Sequence, residues 1–164
     1  MMELLLVRHG KAQDRRLVSI DHERKLVPKG TIQLKQDIPY LTEYLGDRKN
    51  VFLWSSGITR ALETAEIIQE LCKIDDIEVY DFIETGDFYE LERSLKKMGE
   101  DSTIVIVGHQ PDLSEWTRMI CKKIIDFKKG GAVSFKIIST DQLSGEINWI
   151  AEPGKYMNIP MQKL

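Results

Sequence analysis

The chain has 164 residues, of which 42% are hydrophobic and 30% charged, an ordinary globular balance that suits one domain with one sizeable core. A formal net charge of −3 at neutral pH argues against a general nucleic-acid binder. No stretch reaches the roughly 18 apolar residues of a membrane span, and the N-terminal apolar run is too short for a signal sequence and lacks a basic flank, so a cytoplasmic location is expected.

The first element, Glu3 to Val7, reads as a strand buried on both faces, because its apolar residues are continuous rather than alternating. It ends abruptly in Arg8-His9-Gly10. Residues 10–27 are polar and irregular. Across residues 8–29, seven Lys/Arg face three acids, a local net of +4 that leaves −7 for the remainder. That stretch is either a solvated charged loop or a positive rim that steers an anionic substrate.

Pro28 opens a helix, since proline is tolerated at the first helical position. Ile32, Leu34, Ile38, Leu41 and Leu45 follow at helical spacing, with Gly46 as the C-cap. Pro39 inside this pattern predicts a kink or a split. Val51 to Trp54 is a second strand, and Ser55-Ser56-Gly57 a turn. A helix follows from Ile58 to Lys73, then a third strand from Ile77 to Tyr80. Tyr89 to Met98 is helical. Thr103 to Val107 is a β-rich strand. Gly108-His109-Gln110-Pro111 turns into a helix ending near Lys122. Ala132 to Ser139 and Gly145 to Ile150 form a final pair joined by the polar turn 140–144.

The rhythm β-α-β-α-β-α-β-α-β-β predicts an α/β fold: a three-layer sandwich with a mostly parallel central sheet and helices on both faces, the last pair forming an antiparallel edge. Cys72 and Cys121 sit in apolar helical patterns without CxxC spacing, so they read as small buried residues in a reduced compartment. The three histidines show no metal-ligand spacing, and no metal or cofactor is expected. His22 has no partner motif and reads as a surface residue.

Polar residues follow strands throughout. Arg8 and His9 follow the first, Ser55 to Arg60 the second, and His109 the Thr103–Val107 strand. Ligands of open α/β sheets bind beyond the carboxyl ends of the strands. If these strands are neighbours, two arginines and two histidines meet at one crevice. Guanidinium forks suit phosphate oxygens and neutralise charge in a phosphoryl transition state. One imidazole then attacks phosphorus and carries the group covalently, while the other, if protonated, donates to the transferring oxygens. Two nearby arginines favour the neutral form that attack requires. The Gln110 backbone N–H, near a helix start, adds an anion contact.

These residues resemble a known family. Leu6-Val7-Arg8-His9-Gly10 is similar to the signature of the histidine phosphatase superfamily, also called phosphoglycerate mutase-like. Trp54 to Ala65 resembles its second-arginine segment, and Val107 to Pro111 its second-histidine segment. Arg24-Lys25-Leu26-Val27-Pro28-Lys29-Gly30 resembles the Leu-Thr-x-x-Gly stretch that leads into the first helix. The resemblance implies a phosphoglycerate mutase-like fold. It also implies His9 as the phosphorylated nucleophile, with Arg8, Gly10, Arg60, His109 and Gln110 around the phosphate.

Within the superfamily the chain looks most like the small SixA branch, the phosphohistidine phosphatases. Only about 35 residues separate the Arg60 helix from His109. That leaves little room for the insertions with which larger members roof the site, so residues 1–164 are expected to form one domain without a sizeable cap. An open site suits a phosphorylated side chain on another protein. Arg8-His9-Gly10-Lys11-Ala12 also fits this branch better than the mutases, which continue Glu-x-x-x-Asn.

One departure concerns the general acid. Phosphomonoesterases of the superfamily carry a Glu or Asp on the loop after the third strand, which here runs from Asp81 to Asp87. The small branch tends to have proline near Glu84 and a pair like Gly86-Asp87. Glu84 is therefore either the acid or an exposed loop carboxylate, with Asp87 the alternative acid. General acid catalysis is worth roughly 10²–10⁴-fold, and an alkoxide leaving group needs it more than a protonated imidazole does.

The favoured expectation is a metal-independent phosphatase acting through phospho-His9 on protein phosphohistidine, with a histidine phosphotransfer domain as one candidate partner in signal transduction. The alternative is a general phosphomonoesterase on small phosphate esters or phosphoproteins. A third reading is a non-catalytic phosphate- or phosphopeptide-binding domain. Neither a nucleic acid nor a membrane is expected as partner.

Overall fold

The computed structural model describes residues 1–161. Its six-stranded sheet comprises β1 (Glu3–Arg8), β2 (Val51–Ser55), β3 (Ile77–Val79), β4 (Thr103–Gly108), β5 (Ala132–Ser139) and β6 (Ser144–Ala151). The strand order is β3-β2-β4-β1-β5-β6. The first four strands in this order are mutually parallel, whereas β5 runs antiparallel to β1 and β6 antiparallel to β5. The expected mostly parallel sheet with an antiparallel edge is therefore observed.

Helices α1 (Pro28–Leu45) and α2 (Thr59–Cys72) cover one face. There they pack on Leu5, Val7, Val105 and Val107. Helices α3 (Asp81–Thr85), α4 (Phe88–Lys96) and α5 (Asp112–Cys121) cover the other. They pack on Leu4, Leu6, Ile104 and Ile106. Successive strand residues point to opposite faces, so β1 and β4 must be apolar at every position to serve both layers. Leu4 to Val7 and Ile104 to Val107 are all fully buried.

Four features differ from expectation. Pro39 does not split α1. It is exposed, so the carbonyl that loses its helical N–H is free to bond water instead. The 81–87 segment is not a loop. Residues 81–85 form α3, Gly86 ends it at φ 73, and the Asp87 carboxylate caps α4 by accepting from the N–H groups of Tyr89 and Glu90. Residues 10–27 are not irregular throughout. They hold 3-10 turns at Arg15–Leu17 and Asp21–Glu23 and a bridge between Ala12 and Leu26. The cysteines are half-buried free thiols rather than fully buried ones.

Chain connections leave β1 toward the α1 face and β4 toward the α5 face. Adjacent parallel strands whose connections diverge open a crevice at their carboxyl ends. The register levels that crevice: Arg8 pairs with Gly108, and Ser55 with Val107. His9, His109 and Ser56 therefore leave three neighbouring strands at nearly the same height. At the opposite end of β1, buried Glu3 accepts hydrogen bonds from Tyr44, Arg48 and Ser134.

Candidate active site

The structure brings Arg8, His9, Arg60 and His109 together at the carboxyl ends of β1, β2 and β4. The two imidazole rings lie 5.4 Å apart, centre to centre. All but Arg8 are buried, and Arg8 is half-buried.

The orientation of His9 follows from two contacts. Its Nδ1 lies 2.8 Å from the Gly10 carbonyl, which can only accept. Nδ1 therefore carries the proton, and Nε2 presents its lone pair. Arg60 Nε donates to that Nε2 at 3.3 Å. Burial is the main cause that lowers the His9 pKa to about 3, and the charges of His109, Arg60 and Arg8 act in the same direction. His109 is lowered to about 4, again chiefly by burial, with Arg60 next. Both imidazoles are neutral at physiological pH.

Further bonds fix the loops that carry these groups. The Gly10 N–H donates to Thr64 Oγ1 at 3.1 Å, and that hydroxyl donates to the Arg60 carbonyl at 2.8 Å. The turn after β1 is thereby tied to the first turns of α2. Gly30 in α1 lies so close to this turn that a Cβ there would meet the Lys11 carbonyl at 2.3 Å. Arg8 Nη1 donates to the Phe127 carbonyl at 2.8 Å. The Gly130 N–H donates to the carbonyls of Arg8 and His9 at 3.1 and 2.9 Å. Arg8 Nε and His109 Nδ1 are buried with no hydrogen-bond partner among the described residues. Such atoms cost roughly 1–3 kcal/mol each when left unpaired, and functional sites are where proteins tolerate that cost.

Several participants escape a reading of the sequence. Ser56 Oγ lies 2.6 Å from His109 Nε2 and is fully buried. Asp21 reaches Arg60 twice, its carbonyl accepting from Nη1 at 3.1 Å and its carboxylate lying 3.4 Å from Nη2. The same carboxylate lies 3.1 Å from Arg15 and 3.2 Å from Arg24. The Arg24 guanidinium is largely buried and adds a third positive group near Arg60. The positive stretch 8–29 thus contributes directly to the pocket wall. A strand-end serine is the only local signal for Ser56, and nothing local marks Asp21.

Glu84 and Gln110 sit differently from the central four. Glu84, on α3, pairs with His22 at 3.1 Å, bridging α3 and the Asp21–Glu23 turn. His22 is exposed as expected but is not without a partner. The Gln110 side chain caps α5, accepting from the Ser114 N–H at 3.0 Å and donating to its hydroxyl. Asp87 is occupied in capping α4.

Among the described residues no helix is long and apolar enough to cross a membrane. The histidine phosphatase superfamily (branch 1) model matches residues 4–94. An uncharacterized protein of Picosynechococcus sp. is 32% identical over 82% of this chain and 85% of its own length. Among solved structures, the protein histidine phosphatase SixA complexed with tungstate superposes with a TM-score of 0.80 at 18% identity, covering 93% of this chain and 98% of that one. A mycobacterial glucosyl-3-phosphoglycerate phosphatase gives 0.73 at 11% identity, covering 92% and 99%. A phosphoserine phosphatase of Entamoeba histolytica gives 0.62 at 15% identity, covering 92% and 97%. With a mostly parallel sheet, an Arg-His-Gly turn at its first strand and a family match over more than half its length, the chain belongs to branch 1 of the histidine phosphatase superfamily.

Proposed function

We propose that the chain is a metal-independent phosphatase that works through phospho-His9 and acts on phosphohistidine carried by another protein. The observation that carries this reading is the fixed His9 tautomer. Gly10 holds the Nδ1 proton, so Nε2 is an unprotonated nucleophile inside a pocket of guanidinium groups. Nε2 attacks phosphorus as the bond to the leaving nitrogen breaks; that nitrogen keeps the bonding pair, and its ring, already protonated on the other nitrogen, departs as neutral imidazole. Water then cleaves the N–P bond of phospho-His9, releasing phosphate and regenerating the imidazole. Arg8 and Arg60 neutralise the transferring oxygens, and His109, held by Ser56, faces the same group. Arg60 exchanges its contacts with Asp21 for the phosphoryl oxygens. The positive charge comes from side chains, so this scheme uses no metal.

Two features support phosphohistidine over an ester. The carboxylate best placed in sequence to protonate an alkoxide, Glu84, is engaged by His22, and Asp87 is engaged by its helix cap. Loss of general acid catalysis costs an alkoxide leaving group more than an imidazole. The similarity to SixA in fold points the same way.

Phosphate release tests this in EDTA, from a phosphohistidine-bearing protein and from phosphoserine, an ester whose alkoxide leaving group needs a proton, for wild type and His9→Ala. The expected result is rapid release from the first, little from the second, and loss of both in the variant. Enzyme quenched in alkaline denaturant, where an N–P bond survives, should retain the phosphoryl group on His9, and acid treatment should release it. A preference for the ester makes the chain a general phosphomonoesterase with Glu84 in the mechanism. The absence of any phosphoenzyme and any turnover leaves a phosphate-binding domain.

A further inference from the structure

The loop after β1, the first turns of α1, the loop before β5 and the turn after β6 enclose a hollow of about 380 Å³ beside the phosphate pocket. It shares the wall of that pocket. Gly10 lines it, and so does Gly130, whose N–H bonds the Arg8 and His9 carbonyls. Its lining is mainly apolar, with Leu34 and Pro153 as its apolar side chains and Gln33 beside them. Its rim carries Lys11, Lys29 and Lys129, each exposed and none in an ion pair among the described residues. Asp14, whose carboxyl feels the Lys129 charge, is engaged by Arg16.

The far wall is held by buried polar groups. Asp37, 3% exposed, accepts from the Gly154 N–H at 3.2 and 3.0 Å and from Gln33 Nε2 at 3.1 Å. The fully buried Tyr156 hydroxyl donates to the Gly130 carbonyl at 2.7 Å. A buried carboxylate costs several kcal/mol in lost hydration before its hydrogen bonds offset it, so the tail is pinned here at some expense. The result is a preformed hollow at the small end of the range of binding pockets.

We propose that this hollow is a docking subsite for the protein that presents the phosphoryl group, taking an aliphatic side chain of that protein while its neighbouring carboxylates meet Lys11, Lys29 and Lys129. The three ammonium groups come from three chain segments around an apolar floor, the arrangement of an interface with an apolar centre and a charged rim. The positive rim opposes the chain's net charge of −3, so it also orients an acidic partner during encounter. The inference rests on the reading of a protein-borne substrate above.

The test uses two pairs of synthetic peptides. In the first pair phosphohistidine is flanked by Leu and either Glu or Lys residues; the second pair carries phosphoserine instead. Affinities are measured by fluorescence anisotropy on His9→Ala, which holds substrate without turnover, and on the same protein with Lys11→Glu, Lys29→Glu and Lys129→Glu. The acidic phosphohistidine peptide should bind about ten-fold tighter than its basic partner, the combined scale of three exposed ion pairs. That ratio should shrink in 0.5 M salt, as screening requires, and vanish or invert in the lysine variant (roughly a 4 Å screening length). Replacing the peptide Leu by Ser should weaken binding to the lysine-intact protein. An acidic-to-basic ratio that is the same in both proteins overturns the subsite. A ratio that appears only in the phosphoserine pair, with no binding of phosphohistidine, retains the subsite and removes the phosphohistidine reading instead.

Discussion

Lowering the pH is the most direct perturbation of this pocket. His9 is held at about 3 and His109 at about 4, in both cases chiefly because burial disfavours the charged ring. An ordinary histidine, with a pKa near 6.5, is only about 3% neutral at pH 5, whereas His9 would be about 99% neutral. Both depressed values have the same sign in their effect on stability. Below pH 6.5 the unfolded chain takes up two protons that the folded chain refuses until about pH 4 and then 3. Their contribution to stability is therefore complete above the unfolded value and is lost as pH falls through that window. At its steepest the loss approaches about 3 kcal/mol per pH unit for the two rings together. The chain has three histidines, so ring Cε1–H resonances are assignable by NMR with His9→Gln and His109→Gln. Between pH 8 and pH 5 the His9 resonance should stay fixed and the His109 resonance should cover only about a tenth of its titration range. The acid limb of the urea-unfolding free energy should be shallower in His9→Gln than in wild type. Vanadate or phosphate should raise both midpoints, since an oxyanion stabilises imidazolium. A His9 midpoint near 6.5 in the free protein would refute the reasoning, because the pocket would then not exclude water enough to keep its nucleophile neutral.

Other substitutions test separate parts of the structure. Ser56→Ala removes the 2.6 Å partner of His109 Nε2 and leaves a buried nitrogen unpaired, costing roughly 1–3 kcal/mol in urea denaturation and lowering kcat by about ten-fold as the ring loses its anchor. Gly30→Ala drives a Cβ to 2.3 Å from the Lys11 carbonyl; as backbone must move, about 1–3 kcal/mol of stability and much of the activity should go together. Glu3→Gln weakens charge-assisted bonds to Tyr44 and Arg48 at the far end of β1, so about 1.5–3 kcal/mol should be lost with kcat and KM of the folded protein unchanged. Equal damage to kcat in Glu3→Gln would contradict the separation of the sheet's two ends.

Much of this protein is determined by local sequence. Continuous apolar runs at Leu4–Val7 and Ile104–Val107 identify strands buried on both faces, because only such strands need apolar residues at every position. Arg8, His9, Arg60 and His109 are legible because strand ends in a parallel sheet share one edge, and each of these residues lies at or just beyond one. Pro28 and Gly46 mark the ends of α1 through their own backbone chemistry. What the tertiary structure alone decides depends on pairs distant in the chain. The strand order and the level of Arg8 with Gly108 set which groups face one another. Ser56 gains meaning only because β2 lies beside β4, which brings its hydroxyl to His109 across 53 residues. Asp21, Arg24 and His22 lie in a stretch that reads in sequence as either a solvated loop or a positive rim; that loop folds back over α2 and α3, so Arg60 and Glu84 acquire partners that no spacing predicts. The tail had no local signal for its path; Asp37 and Tyr156 fix it against the pocket by buried hydrogen bonds. Periodicity and turn chemistry act within a few residues of chain, whereas burial, charge pairing and tautomer choice depend on neighbours that only the closed sheet supplies.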